Sequence, residues 1–503
     1  MEGGSRKVGS GGVTYREADQ DYFEKRKLRR HAGVWSLWAL GVAAVISGDF
    51  FGWNFGLAYG FGGLLVATGV VTVMYFGLCY SIAEMSPALP HTGGAYSFAR
   101  SAMGPWGGFS TGVAETIEYV ITPAVIVVGI GSYMSSIADD LIGLHLSQPV
   151  WWAIFYAVFV GLNYVGVEAS FRFTVIICFT SLAILAVFFI GAIPNFDFTK
   201  YAIDTNNGAW FIDGVKGVFY ALPFAIWFYL AIEELPLAAE ESADPKKDIP
   251  QGTNWGLRTL VVTAVLILFL NSGISPGAGP LSSSSEPLLD GLKTIFGDNT
   301  SASLLGLLAV AGLVASFHTI IFAYGRNIFS LSRAGYYPNA LSVTTAKRQT
   351  PWAALLLGSV LGWIAAYVIY KKGNTTVGAS LLYMAVFGAV ISYIMQCTSF
   401  VLLRRNLPNI ERPYRSPVGI AGAVVAGLIA LASLVAILDN GDYRPGVYGV
   451  AIFYVIAMAY FAIAGRRRLV LSPEEEFAMT QGEHGHPEVE GYGHTRVEET
   501  AKK

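Results

Sequence analysis

The chain has 503 residues, 53% of them apolar and only 14% charged, with 33 Lys and Arg against 35 Asp and Glu. A soluble domain carries nearer 25% charged residues. These charges also gather at the chain ends and in short loops, leaving apolar runs of about 20 residues, long enough to cross a hydrocarbon core of about 30 Å. An ordinary soluble enzyme is therefore excluded, no nucleic-acid partner is expected, and the expected class is an all-α polytopic membrane protein whose solvent is the lipid bilayer.

Cys79, Cys178 and Cys397 lie far apart in apolar segments and have neither disulfide nor metal-ligand spacing. No phosphate-binding glycine loop, HExxH zinc motif or clustered catalytic set is present. Neither enzyme activity nor a cofactor or metal is expected.

Residues 1–33 form a polar, basic tail with no apolar core ahead of a cleavage site, so the first span serves as its own insertion signal. Twelve spans follow, at 34–57, 62–85, 107–134, 149–167, 171–193, 215–239, 255–273, 303–330, 352–370, 378–403, 418–437 and 446–464. With the N-terminus inside, all but six of the 33 basic residues fall in cytoplasmic segments. The exceptions are Lys200, Lys216, Lys293, Lys371, Lys372 and Arg444. That bias places both termini in the cytoplasm of a cell whose plasma (inner) membrane the chain spans. The spans group as a five-helix block at 34–193, a second at 194–403, helices 11 and 12 at 404–465, and a C-terminal tail at 466–503. Both tails are Gly-, Glu- and Lys-rich and are expected to be mobile. His484, His486 and His494 read as tail residues, and Asn299-Thr300-Ser301 and Asn374-Thr375-Thr376 fit the glycosylation pattern in outside loops.

Two spans look interrupted. The first holds VISGDFFGWNF (45–55), which puts Ser47, Gly48, Asp49, Gly52 and Asn54 where lipid should lie. A lone Asp at a helix centre costs about 2.5–3.5 kcal/mol there unless protein or water surrounds it. The sixth, FYALPFAIWFYLAIEELPLAAEE (219–241), contains Pro223, Glu233, Glu234 and Pro236. These spans open successive five-helix blocks, and an odd number of helices per block inverts the second. Interrupted segments at matching positions of inverted halves point to a transporter site at the midplane, where unwound backbone lines a cavity.

The motifs AEMSPALPHTGGAYSFAR (83–100), AAEESADPKKDIPQG (238–252), SRAGYYPNAL (332–341), TPWAALL (350–356) and RPYRSP (412–417), with the interrupted first span, resemble the amino acid–polyamine–organocation (APC) transporter superfamily over residues 34–465. GDFFGWNFGLA, GGAYSFARSAMGPWGGF and AETIEYVITPAVIVVGIG are similar to the bacterial ethanolamine permease family. The resemblance implies a 5+5 inverted-repeat (LeuT-like) fold with broken helices 1 and 6, two extra C-terminal helices, and secondary transport by alternating access.

It also implies site residues. In the superfamily's amino acid carriers, backbone N–H groups of a glycine-rich triplet in the first break grip the substrate carboxylate. The triplet here is Ser47-Gly48-Asp49, and a fixed carboxylate repels a carboxylate and attracts an ammonium. Asp49 reads either as an amine contact or as the N-cap of the span's second half. Glu115 and Glu118 share a helix face, with Tyr119 near the cavity, although a solvated entrance would also suit the two acids. Trp227 matches an aromatic that closes over substrate, worth about 0.5–2 kcal/mol against an ammonium, or it is simply a buried Trp. Phe224 and Tyr229 are further binding candidates. Glu233 reads as a cap for the inner half-helix or a proton carrier, Glu118 as a second coupling candidate, and His318 as a packing histidine or a site residue.

The expected function is import of ethanolamine or a similar small amine. Membrane potential supplies about 2.3 kcal/mol per charge per 100 mV, roughly fiftyfold accumulation, and a coupling proton is a plausible addition because several carboxylates beside one cation cannot all stay charged cheaply. The alternative is an α-amino acid or polyamine permease of the same fold. From another class, a channel or a membrane sensor is the weaker reading.

Overall fold

The computed structural model describes residues 6–485 except 9, 17, 19, 27, 29–31, 90, 207, 298–299 and 373–376. Asn299, the motif at Asn374, His486, His494 and the outer parts of both tails lie outside the described residues.

In chain order, two short strands, β1 (Arg6–Val8) and β2 (Thr14–Arg16), precede a one-turn helix α1 (Gln20–Glu24). The first span is α2 (Val34–Val45) and α3 (Ser47–Phe50), followed after an irregular step by a 3-10 segment, Trp53–Tyr59. Next come α4 (Phe61–Ala88), α5 (Ala95–Ile142), α6 (Gln148–Val165) and α7 (Val167–Ala192). The sixth span is α8 (Gly214–Ile226) and a 3-10 segment, Ile232–Glu241. Then follow α9 (Pro245–Ser272), the short α10 (Ala278–Leu281) and α11 (Pro287–Phe296), and α12 (Thr300–Arg333). Finally α13 (Trp352–Lys371), α14 (Val377–Asn406), α15 (Gly419–Asp439) and α16 (Arg444–Ile463) lead to β3 (Leu469–Val470) and α17 (Pro473–Thr480).

Among the described residues, nine helices are long and apolar enough to cross a membrane, and ten if the bent first span counts as one. The expected fourth and sixth spans correspond to the 18-residue α6 and to α8 with the 3-10 segment after it, neither of which is among those ten. One expected boundary moves. Span 3 was expected from residue 107, but helix runs from Ala95 and bends where Gly104 takes φ 77° ahead of Pro105. Glycine reaches that φ without strain, and proline suits the start of the continuing helix.

Of the inner helices, α12 and α14 both pack along α5, while α4 runs beside α8, α9 and α15. Gly388 lets α14 approach α5 closely: a Cβ there would lie 2.5 Å from the Ala114 carbonyl and 2.8 Å from the Glu118 nitrogen. Outward positions on the peripheral helices are apolar, among them Phe179, Ile190, Leu428, Val455 and Ile456. Such a surface suits lipid tails, which solvate side chains but no backbone polar groups.

The tails differ from expectation. β1 pairs antiparallel with β2, and β2 pairs parallel with β3, so N- and C-terminal segments share one small sheet. Both tails therefore leave from the same end of the bundle, which requires an even number of crossings. The fold is all-α within the spans and carries a three-stranded sheet on this tail-bearing end.

Candidate functional site

The two interruptions meet. The first lies slightly beyond the triplet that sequence suggested. Ser47, Gly48 and Asp49 keep helical geometry in α3, and the chain unwinds at Phe51 (φ −163°, ψ 145°) and Gly52 (φ 99°). Asp49 does not cap the second half-span, because the residue at that cap is Gly52 and no side chain caps it. Asn54 serves the break instead. Its Oδ1 accepts from Gly52 N (3.1 Å), and its Nδ2 donates to Leu281 O (2.7 Å) and Ser284 O (2.9 Å). A short amide can reach its own backbone and two carbonyls together, a role that sequence marked only as a polar residue in an apolar run.

The second interruption runs from Trp227 to Ala231, where Ala231 takes φ 85° before the 3-10 segment begins. Glu233 Oε1 accepts from the backbone N of Ala231 (3.1 Å), the residue that precedes this segment. Trp227 reaches back to the first break, donating Nε1 to Phe51 O (2.9 Å). Gly48 and Gly52 permit this contact. A Cβ on Gly48 would sit 2.6 Å from Trp227 O, and one on Gly52 would sit 2.6 Å from Trp227 Nε1.

Two of the triplet's three N–H donors are already bonded. Ser47 N donates to Ser316 Oγ (2.8 Å), which itself donates to Ala43 O (2.6 Å), and Asp49 N donates to Ile46 O (3.0 Å). The Asp49 side chain is 2% exposed. Its Oδ2 has no hydrogen-bond partner among the described residues.

A chain of hydroxyls and carboxyls extends from Tyr229 beside the second break. Tyr229 shares a hydrogen bond with Thr72 (2.8 Å) and packs its ring 5.2 Å from Tyr75. Tyr75 and Tyr393 share another (2.8 Å). The Tyr393 hydroxyl stands 3.0 Å from Glu233 Oε1 and 3.4 Å from Glu118 Oε1, so the two carboxyl groups meet at one hydroxyl. Tyr393 was not singled out from sequence, since an isolated Tyr in an apolar helix gives no signal. Glu115 stands apart from this pair, accepting from Asn327 Nδ2 (3.3 Å) and Tyr119 OH (3.5 Å). Among the described residues no Lys, Arg or His forms an ion pair with Asp49, Glu115, Glu118, Glu233 or Glu234.

Glu115 and Glu118 are both fully buried, which removes the solvated entrance as an explanation for them. Phe224 lies before the second break in an aromatic group with Phe55, Tyr59, Tyr383 and Tyr443. This group covers the side facing away from the tails. His318 is not with the other candidates. Its ring nitrogens pair with Asn163 (3.0 Å) and Ser170 (2.9 Å), and Phe173 packs 4.9 Å from it, so it joins α6, α7 and α12.

On the tail-bearing side, ion pairs take over. Arg326 of α12 holds Glu241 (2.7 Å), and Arg333 holds Glu240 (2.5 Å). Both acids end the 3-10 segment that continues the second break. No group of three or more metal-ligating side chains is assembled among the described residues.

Residues 37–466 match the amino acid permease family. The chain is 26% identical to an uncharacterized transporter of Rhizobium meliloti (strain 1021), over 91% of this chain and 96% of that protein. It is 24% identical to the branched-chain amino acid permease BcaP of Bacillus subtilis (strain 168), over 83% and 89%. It is also 24% identical to the methylthioribose transporter of the same organism, over 80% and 88%. With two interrupted spans meeting inside an apolar bundle and a family match over most of its length, the chain belongs to the amino acid permease family of the APC superfamily and is a membrane transporter.

Proposed function

We propose that this permease imports ethanolamine or a closely similar small amine across the plasma membrane by alternating access, with both termini cytoplasmic. The observation that carries the reading is Asp49, a buried carboxylate with an oxygen that has no hydrogen-bond partner among the described residues, at a break where the Ser47 and Asp49 N–H donors are already bonded. A substrate carboxylate would meet fixed negative charge and few free donors. An ammonium would meet a charge-assisted acceptor, worth about 1.5–3 kcal/mol. Trp227 and Phe224 supply aromatic surface around such a cation, and Glu115 with Tyr119 lines the α5 side.

The Glu118–Glu233 pair is the coupling element of this proposal. Two adjacent carboxyls without a cation hold a proton between them more cheaply than two charges. One acid sits on α5 and the other at the second break, so the shared proton ties two elements that must separate in the cycle. His318 has no part in it. The orientation rests on the lysine and arginine bias of the loops.

Relatives in the family are named for branched-chain amino acids and for methylthioribose, so family membership leaves the cargo open and an α-amino acid permease is the second reading. Uptake of labelled ethanolamine into proteoliposomes separates them. Saturable uptake driven by an inside-negative potential, with weak competition by alanine and lysine, supports the amine. Equal competition by alanine sinks it in favour of the amino acid reading, and flux that neither saturates nor exchanges would indicate a channel.

A further inference from the structure

The helix α17 follows the last expected span and belongs to the tail, yet two of its three acids are among the most buried groups in the protein. Glu474 is 1% exposed and Glu475 is 0% exposed. Glu475 accepts from four donors: Tyr96 (2.7 Å) and Tyr336 (2.9 Å) on Oε1, Tyr15 (2.6 Å) and Arg100 Nε (2.5 Å) on Oε2. That uses the full acceptor capacity of a carboxylate. Burial and the neighbouring Glu475 push the Tyr15 phenol upward, so it stays a donor. Further along, the His91 ring meets Gly485 O (2.8 Å) and packs 5.2 Å from Phe477. Burial holds its imidazole below the usual value and hence neutral.

Glu474 does something different. Its Oε1 accepts from Ser330 Oγ (3.0 Å) and from Arg333 Nη2 (2.5 Å). The same Nη2 reaches Glu240 Oε1 (2.5 Å), and Nη1 reaches Glu240 Oε2 (2.9 Å). Arg333 is thus fixed from one side by the tail while it grips, bidentately, the segment that continues the second break. A planar guanidinium makes two parallel bonds only when its orientation is set.

We propose that Glu474 and Glu475 are positioning residues of the transport cycle: α17 docks through Glu475, and Glu474 then orients Arg333 so that it holds Glu240 and keeps the tail-bearing face closed. Opening that face requires residues 232–241 to part from α12, so the docked tail biases the transporter against that state. The inference rests on the alternating-access reading but not on the identity of the cargo.

The test uses the full chain in proteoliposomes, with hydrogen exchange read over 232–241 and over 473–480 and no substrate present. Glu475→Gln is expected to raise exchange in both segments. Glu474→Gln is expected to raise it in 232–241 while 473–480 stays protected, because the Glu475 anchor remains. Glu474→Asp keeps the charge and restores part of the protection. In uptake from the opposite face, fewer carriers wait outward, so apparent KM rises about fivefold or more in Glu474→Gln, as the competent fraction falls, while maximal exchange is kept or increased. If exchange over 232–241 stays at the wild-type level in both Gln variants, the tail is only a clasp and the proposal is overturned. Exchange that responds while labelled ethanolamine is not transported would leave this inference standing and remove the amine reading.

Discussion

Replacing Asp49 by Asn is the sharpest perturbation of the amine reading, because it removes one charge and almost no volume. The site predicts little cost to folding, because Oδ2 has no hydrogen-bond partner to lose among the described residues. The cost to substrate should be large. Asp49 is 2% exposed and lies apart from any cationic side chain among the described residues, so an ammonium beside it is screened by little water. A hydrogen bond to a charged group is worth about 1.5–3 kcal/mol, which at about 1.4 kcal/mol per decade raises KM for ethanolamine about ten- to hundredfold. Labelled uptake at clamped membrane potential, with thermal stability measured on the same preparation, reads both quantities. Wild-type KM in a stable Asp49→Asn protein refutes the assignment, and so does the same result in Asp49→Gly.

Three other outcomes follow from the same geometry. Gly48→Ala places a methyl 2.6 Å from the Trp227 carbonyl, an overpacking of about 1–3 kcal/mol at the contact of the two breaks, so uptake should collapse while the protein still inserts. On the proposed coupling, Glu118→Gln removes the proton shared with Glu233; in proteoliposomes, potential-driven uptake should survive and the response to an imposed pH gradient should disappear. His318→Ala forfeits two buried hydrogen bonds and leaves a cavity, lowering stability by about 2–4 kcal/mol, with KM for ethanolamine unchanged in the surviving protein.

Both broken spans were legible in sequence because a carboxylate, a proline or paired glycines in an apolar run have no cheap place in lipid. What sequence could not fix was which residue closes each break. Asp49 looked like a cap because Asp favours that position, yet Gly52 occupies it, and Asn54 accepts from the Gly52 N–H from two residues downstream. Register within an irregular turn depends on partners such as Leu281 and Ser284, more than 200 residues away. Tyr393 and Tyr75 were invisible for a related reason: one hydroxyl in an apolar helix acquires meaning only from the carboxyls that packing brings to it. The tails were misjudged through composition. A Glu-rich segment reads as solvated, and α17 is ordered because Arg100, Arg333 and three tyrosines from distant elements converge on two of its acids.

The number of buried acids bears on the coupling more than any one of them does. Asp49, Glu115, Glu118, Glu233 and Glu234 are all enclosed, and no cationic side chain pairs with them among the described residues. One monovalent amine offsets one charge. Each further ionised acid costs several kcal/mol when isolated from water, so on the proposed reading most of these groups hold protons throughout the cycle and contribute nothing to coupling. A proton does work only where its presence differs between the two facing states. Glu115 sits against Asn327 and Tyr119, on α12 and on its own helix, so nothing in its hydrogen bonding changes when the second break moves. Glu118 and Glu233 lie on opposite sides of that movement and meet through Tyr393. On the proposed coupling, separation of the 3-10 segment from α5 exposes one member of the pair and strands the other, and this is then the pair whose proton number follows the conformation.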